Sequence, residues 1–317
     1  MSSPSAGAIG ALREDDGFLQ HRTEVDGALE VICDRYLPDV SRTVAGAIRY
    51  SLLGEGKRLR PILLICAYRA AGGHGDATLL AAAVEVVHAY SLVHDDLPCM
   101  DDDDMRRGRP TTHRMYGVGV AAAAGLAMVP MAALAALDGA EALGLPVGAC
   151  GAIVGELMCA SGASGMVGGQ LLDLEAEGSP TARGGFTLSV AELERIHRLK
   201  TGQLIAASVR IGGMAAGLKG RGPKKAEALD RYGEALGLAF QIADDVLDAT
   251  STSDRLGKTA GRDAVLKKST FPSVLGVTEA IARANALAVE ARDALSEADM
   301  LTAELERLAQ FVVVRRW

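Results

Sequence analysis

Aromatic residues are scarce in this chain: five Phe, six Tyr and one Trp make up 4% of its 317 residues. That scarcity disfavours a sheet protein, whose strands are built on β-branched and aromatic side chains, and the abundance of Ala, Leu and Gly favours closely packed helices. No strand pattern of any length appears, and there is no internal repeat. Basic residues are outnumbered, 33 Lys and Arg against 40 Asp and Glu for a net charge of -7, which argues against a nucleic-acid partner. Cysteines are few and odd in number (Cys33, Cys66, Cys99, Cys150, Cys159), with no CxxC pair. This usage fits a reduced, cytoplasmic protein. The first residues, MSSPSAGAIGALREDD, lack the basic region and apolar core of a signal peptide. One uncharged run, Val118 to Leu137, has the length of a membrane span. It is mostly Ala and Gly, contains Pro130 and lacks anchoring residues on both flanks, so it is expected to be a buried central helix of a bundle. With 49% hydrophobic residues the chain can bury a sizeable core.

Against this background one stretch stands out, SLVHDDLPCMDDDDMRRGRPTTH at residues 91–113. Asp95, Asp96, Asp101, Asp102, Asp103 and Asp104 repel one another unless a cation neutralises them. Oxygen ligands without a His or Cys cluster suit Mg2+, which typically combines one or two protein carboxylates with substrate phosphate. Arg106, Arg107 and Arg109 follow, and guanidinium forks grip phosphate oxygens. On an unbroken helix Asp95 and Asp101 would point well over 90° apart, so Pro98 is expected to break the helix and fold the chain back toward Asp95. A solvated acidic loop is the common alternative for such a run.

A second acidic site, QIADDVLD at 241–248, sets Gln241, Asp244, Asp245 and Asp248 on one helical face with no interspersed lysine. Both sites can reach the same metals only within one compact helical body. Elsewhere, residues 17–37 and 39–53 have helical spacing, and GEGKRLRP (54–61) places Lys57, Arg58 and Arg60 on a glycine-containing turn that suits a second phosphate group. Asp76 can cap a helix running to about Leu97. On it, His88 lies close to two turns before Asp95 and faces the same way. GGQLLDLEAEG (168–178) makes a third polar face from Gln170, Asp173 and Glu177, followed by a loop over 178–189. Ser189 and Glu192 form a capping box for the helix that carries Lys200 and Thr201. LGKTAGRD (256–263) adds Lys258 and Arg262, and residues 271–312 read as a closing helical pair.

Taken together and in this order, GKRLRP, HAYSLVHDDLPCMDDDDMRRGRPTTH, GGQLLDLEAEG, KTGQLI, FQIADDVLD and LGKTAGRD resemble the trans-isoprenyl diphosphate synthases over nearly the whole chain. The resemblance implies a single all-α domain over 1–317, an isoprenoid/terpene synthase bundle around a central cavity, usually homodimeric. It implies that Asp95, Asp101 and Asp244 hold Mg2+ ions bridging an allylic diphosphate, which Arg106, Lys200, Thr201, Gln241 and Lys258 contact. Lys57, Arg60, His88 and Arg107 match positions that hold isopentenyl diphosphate. One departure is Gly125-Leu126, where the family usually has Gly-Asp.

The expected chemistry is prenyl transfer. Departure of diphosphate from the allylic carbon builds charge on the leaving oxygen, which Mg2+, Lys and Arg stabilise. The double bond of isopentenyl diphosphate attacks the allylic cation, and the departing diphosphate is the natural acceptor of the proton then lost. Tyr90 lies five residues before Asp95, about 7 Å further along the axis, where the growing chain would meet it. An aromatic there, next to Ser91 and the longer first motif, resembles the bacterial members that stop at fifteen carbons. A twenty-carbon product, a non-catalytic regulatory subunit and a simple metal-phosphate binder are the competing readings.

Overall fold

The computed structural model describes residues 16–178, 188–218, 222–250 and 269–314. Helix α1 (Asp16–Tyr36) leads to α2 (Arg42–Leu52), where the Ser41 hydroxyl accepts the Val44 amide and caps the first turn. α3 (Leu59–Ala70) and α4 (Thr78–Asp95) follow. Asp76 accepts the Thr78 amide at 2.9 Å, as expected, while α4 stops at Asp95, short of Leu97.

A small hairpin then interrupts the helices. β1 (Met105–Arg106) and β2 (Arg109–Pro110) pair antiparallel, Arg106 opposite Arg109. The turn between them is Arg107 (φ 53°) and Gly108 (φ 73°), the left-handed pair that twists correctly for a two-residue hairpin. Strands of two residues carry no periodicity, so sequence reading found none.

Next come α5 (Thr112–Tyr116), α6 (Val118–Ala142), α7 (Val147–Ser161) and α8 (Met166–Gly178). α9 (Val190–His197) begins at the expected capping box of Ser189 and Glu192. It passes through a π-turn (Arg198–Gly202) into α10 (Gln203–Ala215), and α11 (Pro223–Thr250) follows. The closing pair is α13 (Val277–Ser296) and α14 (Ala303–Val314), preceded by the short α12 (Phe271–Leu275).

The helices pack as two cores that share a wall. α4 lies against α6 in the first, and α11 against α13 in the second. Between them, α3 sends Leu64, Ile65 and Tyr68 to the first core and Leu59, Ile62 and Leu63 to the second. α10 divides likewise, Leu204, Ala207 and Ile211 against Ile205 and Val209. A helix covered on both sides needs no polar face, which is why LRPILLICAYRA in α3 is apolar almost throughout.

The expected burial of α6 holds for one side only. Ala121, Ala124, Met128, Ala132 and Ala135 are buried, but Leu126 is 69% exposed and Leu134 49%. By length and composition alone, Val118–Ala142 and a second stretch, Val147–Ala176, could each cross a membrane. Both contribute buried side chains to the first core.

Candidate active site

At the end of α4 the chain reverses as Pro98 suggested. The Asp101 amide donates to the Asp95 carbonyl at 2.9 Å and the Asp102 amide to the Leu97 carbonyl at 3.1 Å. Asp101 and Asp95 are thereby brought side by side. Burial drives the Asp95 carboxyl up to about 6; Asp101 and Asp96 add to the shift, while Lys200 and Arg106 oppose it. A carboxylate so placed favours a proton or a metal ion over standing bare.

The other aspartates of the run face arginines. Buried Asp96 accepts Arg106 Nε at 2.7 Å, and Asp103 accepts the same guanidinium at 3.4 Å. Asp104 pairs with Arg114. Arg106 is held in one orientation beside Asp95. Asp102, Asp104 and buried His113 also bring ligand atoms within 4.8 Å of one another, a grouping that spacing alone did not suggest.

The second motif lies on α11 and divides similarly. Gln241 and Asp244 keep part of their surface exposed, whereas Asp245 and Asp248 are buried. Asp245 accepts the Gln241 side-chain amide at 2.9 Å and the Phe271 amide at 3.0 Å, so it ties α12 to α11 and the expectation of four groups on one open face is narrowed. Among the described residues, buried Asp248 Oδ1 has no hydrogen-bond partner. All-oxygen donors, a carboxyl raised chiefly by burial and an orphaned carboxylate oxygen together fit a hard divalent cation such as Mg2+.

What joins the two motifs is the π-turn. There the Gln203 amide bonds the Arg198 carbonyl, five residues back, a distortion common at functional positions. Lys200 Nζ donates to Asp173 Oδ2 at 2.6 Å, and the Thr201 hydroxyl to Gln241 Oε1 at 2.7 Å. Lys200 is also close enough to Asp95 to act on its carboxyl. Gly169 permits this approach: a Cβ there would stand 2.1 Å from the Lys200 backbone nitrogen. Asp173, part of the third polar face over 168–178, thus has Lys200 as its partner. Lys258, Arg262 and the Glu177 side chain lie outside the described residues.

A third group surrounds the turn at 54–58. Burial, then Arg60 and Arg107, push the His88 pKa well below its ordinary value, so His88 is neutral at pH 7 and these three share one neighbourhood. Lys57 is exposed, its ammonium 5.7 Å from the centre of the Phe311 ring. Arg60 stacks on Phe240 at 6.0 Å. Arg107 donates to the Glu55 carbonyl, which links the hairpin to this turn. Arg58 departs from expectation. It is buried and donates to Glu85 at 2.9 Å, to Asp26 at 2.7 Å and to the Leu52 and Gly54 carbonyls. It shapes the turn rather than offering itself to phosphate. Tyr50, which sequence reading passed over, stacks beneath Arg109 at 4.2 Å and donates to the Pro110 carbonyl at 2.7 Å.

Tyr90 is 6% exposed and donates to the Ser161 carbonyl at 3.4 Å; Ser91 Oγ donates to the His88 carbonyl at 2.8 Å. A cavity of about 800 Å3 opens elsewhere, between α8 and α9, lined by Leu171, Leu172, Arg195 and Arg198. Among the described residues, none of those expected to bind substrate lines it.

Residues 41–306 match the family model described as polyprenyl synthetase. The chain belongs to the polyprenyl synthetase family. It is 43% identical over 288 residues to the farnesyl diphosphate synthase of Escherichia coli, covering 88% of this chain and 91% of that one. It is 38% identical over 300 residues to a geranylgeranyl diphosphate synthase of Cyanophora paradoxa, covering 94% and 95%. Among solved structures it resembles a geranyltransferase from Helicobacter pylori complexed with magnesium and isoprenyl diphosphate, with a TM-score of 0.74, 26% identity and 98% of each chain covered. The all-α fold of this polyprenyl synthetase is that of its relatives.

Within the family frame, the departure at Leu126 acquires a meaning. Its side chain is exposed, on the side of α6 that the first core leaves open. With Val118, Leu134 and Val147, which are 49%, 49% and 89% exposed, it belongs to an apolar outer surface.

Proposed function

We propose that this prenyltransferase condenses isopentenyl diphosphate head-to-tail with dimethylallyl and geranyl diphosphates, forming farnesyl diphosphate and releasing diphosphate. The observation that carries the reading is the connection of Asp95 through Lys200 and Thr201 to Gln241, one turn before Asp244. It joins the two acidic motifs around one locus for a metal-bridged diphosphate.

Asp95, Asp101 and Asp244 would hold the metal, with Asp248 one turn beyond Asp244 on the same helix. Bound Mg2+ supplies charge neutralisation to the leaving diphosphate. Lys200 and Arg106 add positive charge where the leaving oxygen becomes negative; their carboxylate partners fix that charge in position before reaction. Lys258 is assigned to the same diphosphate. Lys57, Arg60, His88 and Arg107 hold isopentenyl diphosphate, His88 as a neutral donor among cations. Tyr90 closes the space into which the product grows, beside Ser91.

A homodimer through the outer face of α6 and α7 accounts for the exposure of Leu126, Leu134 and Val147, because an apolar surface of this kind marks an interface. The five cysteines are all unpaired thiols, in keeping with a cytoplasmic location.

The test is incubation with isopentenyl diphosphate, an allylic primer and Mg2+, followed by product analysis. Fifteen-carbon diphosphate is the expected main product. A mainly twenty-carbon product would overturn the chain length, and absence of turnover would overturn the activity.

A further inference from the structure

We infer that His94 and Gly125 form a positioning pair that sets where Tyr90 stands, and through it the length of the product; the inference rests on the reading of Tyr90 as the end of the product cavity. His94 immediately precedes the first aspartate motif, yet it does not turn toward the arginines or the acidic loop. It faces α6. Its Nε2 lies 3.2 Å from the Ala122 carbonyl, and because a carbonyl can only accept, Nε2 carries the proton and donates.

The ring also meets Tyr90 edge-on, with centroids 5.6 Å apart and planes at 88°, a favoured aromatic arrangement. Tyr90 has a second hold, its hydroxyl on the Ser161 carbonyl, but at 3.4 Å that bond is long for an O–H donor. Beyond its burial in the first core, the directional contact with favoured geometry is therefore the one to His94. Four residues separate the two along α4, so they stack on one face of the helix, and the position of one determines the room left to the other.

Gly125 explains why the His94 ring can be there at all. A Cβ on Gly125 would stand 2.2 Å from His94 Nε2 and 2.3 Å from Cδ2, well inside contact distance. Glycine in mid-helix is less stable than alanine, and this one is enclosed within α6 beneath the imidazole. Absence of a side chain at Gly125 and the hydrogen bond to Ala122 thus fix His94, which in turn fixes Tyr90. Neither His94 nor Gly125 need touch substrate.

The experiment measures the ratio of ten-, fifteen- and twenty-carbon products from His94→Asn, Gly125→Ala and Tyr90→Ala, with thermal melting to establish that each variant is folded. His94→Asn removes the support behind Tyr90, and a several-fold rise in twenty-carbon product is expected. Gly125→Ala drives the imidazole toward Tyr90 and should raise the ten-carbon share instead. A general loss of packing would lower total turnover without moving the ratio in opposite directions. If Tyr90→Ala changes the ratio while His94→Asn leaves it as in the wild type, the positioning role is overturned and the cavity reading stands. If all three leave it unchanged, the cavity reading falls and the inference with it. Should Gly125→Ala not fold, His94→Asn decides alone.

Discussion

Lys200 Nζ donates to Asp173 Oδ2 at 2.6 Å, so the cation assigned to the allylic diphosphate is already aligned by a carboxylate. Lys200→Ala is expected to raise KM for the allylic substrate and to lower kcat, leaving KM for isopentenyl diphosphate little changed. Lys57→Ala should do the reverse. Losing one charge-assisted contact is worth about 1.5–3 kcal/mol, roughly a 10- to 150-fold change in affinity. Steady-state kinetics with each substrate varied in turn reads the division; both substitutions weakening the same substrate would refute it.

Asp95 and Asp244 are proposed to face one metal-diphosphate cluster from two helices. Asp95→Ala or Asp244→Ala should lower turnover by orders of magnitude while far-ultraviolet circular dichroism keeps its helical signature. The fold is spared because neither carboxylate contributes to the cores. Near-wild-type turnover in either variant would show that the motifs act separately.

The raised Asp95 carboxyl has a signed consequence for the metal-free protein. Its value is about 6 in the folded chain against 3.8 ordinarily, so the folded state binds the proton more tightly. This contribution is fully present below about pH 4 and is lost as pH rises through 6, a change of at most ~3 kcal/mol before solvent screening reduces it. Asp95→Asn should therefore raise the metal-free melting temperature at pH 7 and flatten its fall between pH 4 and 6. A variant that melts lower than wild type at pH 7 would contradict this.

Leu126→Arg places a charge on the outer face of α6 without touching the buried side. Light scattering should report dimers for the wild type and monomers for the variant at micromolar concentration. A monomeric wild type would remove the proposed interface.

Much of the site was legible because charge patterns are local. Pro98 announced the reversal that sets Asp101 on Asp95, and the spacing of Ser189 and Glu192 announced their capping box. The fold class followed from the lack of aromatics and the helical spacing of apolar residues. Arg58 was misread because a cation beside Lys57 and Arg60 looks the same in sequence whether it faces phosphate or Glu85; only the fold supplies the acid from α4. Asp245 was similarly hidden, since its partner, the Phe271 amide, lies beyond the end of α11. Exposure of Leu126 escaped notice because Ala-rich helices have weak faces, and an apolar outer surface reads like a buried one.

The π-turn at Arg198–Gly202 makes α9 and α10 one helix in two registers. One residue beyond the α pitch advances everything after it by about 100°. Upstream of the slip, Leu193 faces the second core; downstream, α10 serves both, with Leu204, Ala207 and Ile211 toward the first and Ile205 and Val209 toward the second. The slip itself is where Lys200 and Thr201 leave the helical surface pattern and reach Asp173 and Gln241. Deleting a single residue here would heal the helix and yet turn α9 by about 100° against α10, so that the packing of both halves and the placement of Lys200 and Thr201 could no longer be satisfied by the same chain.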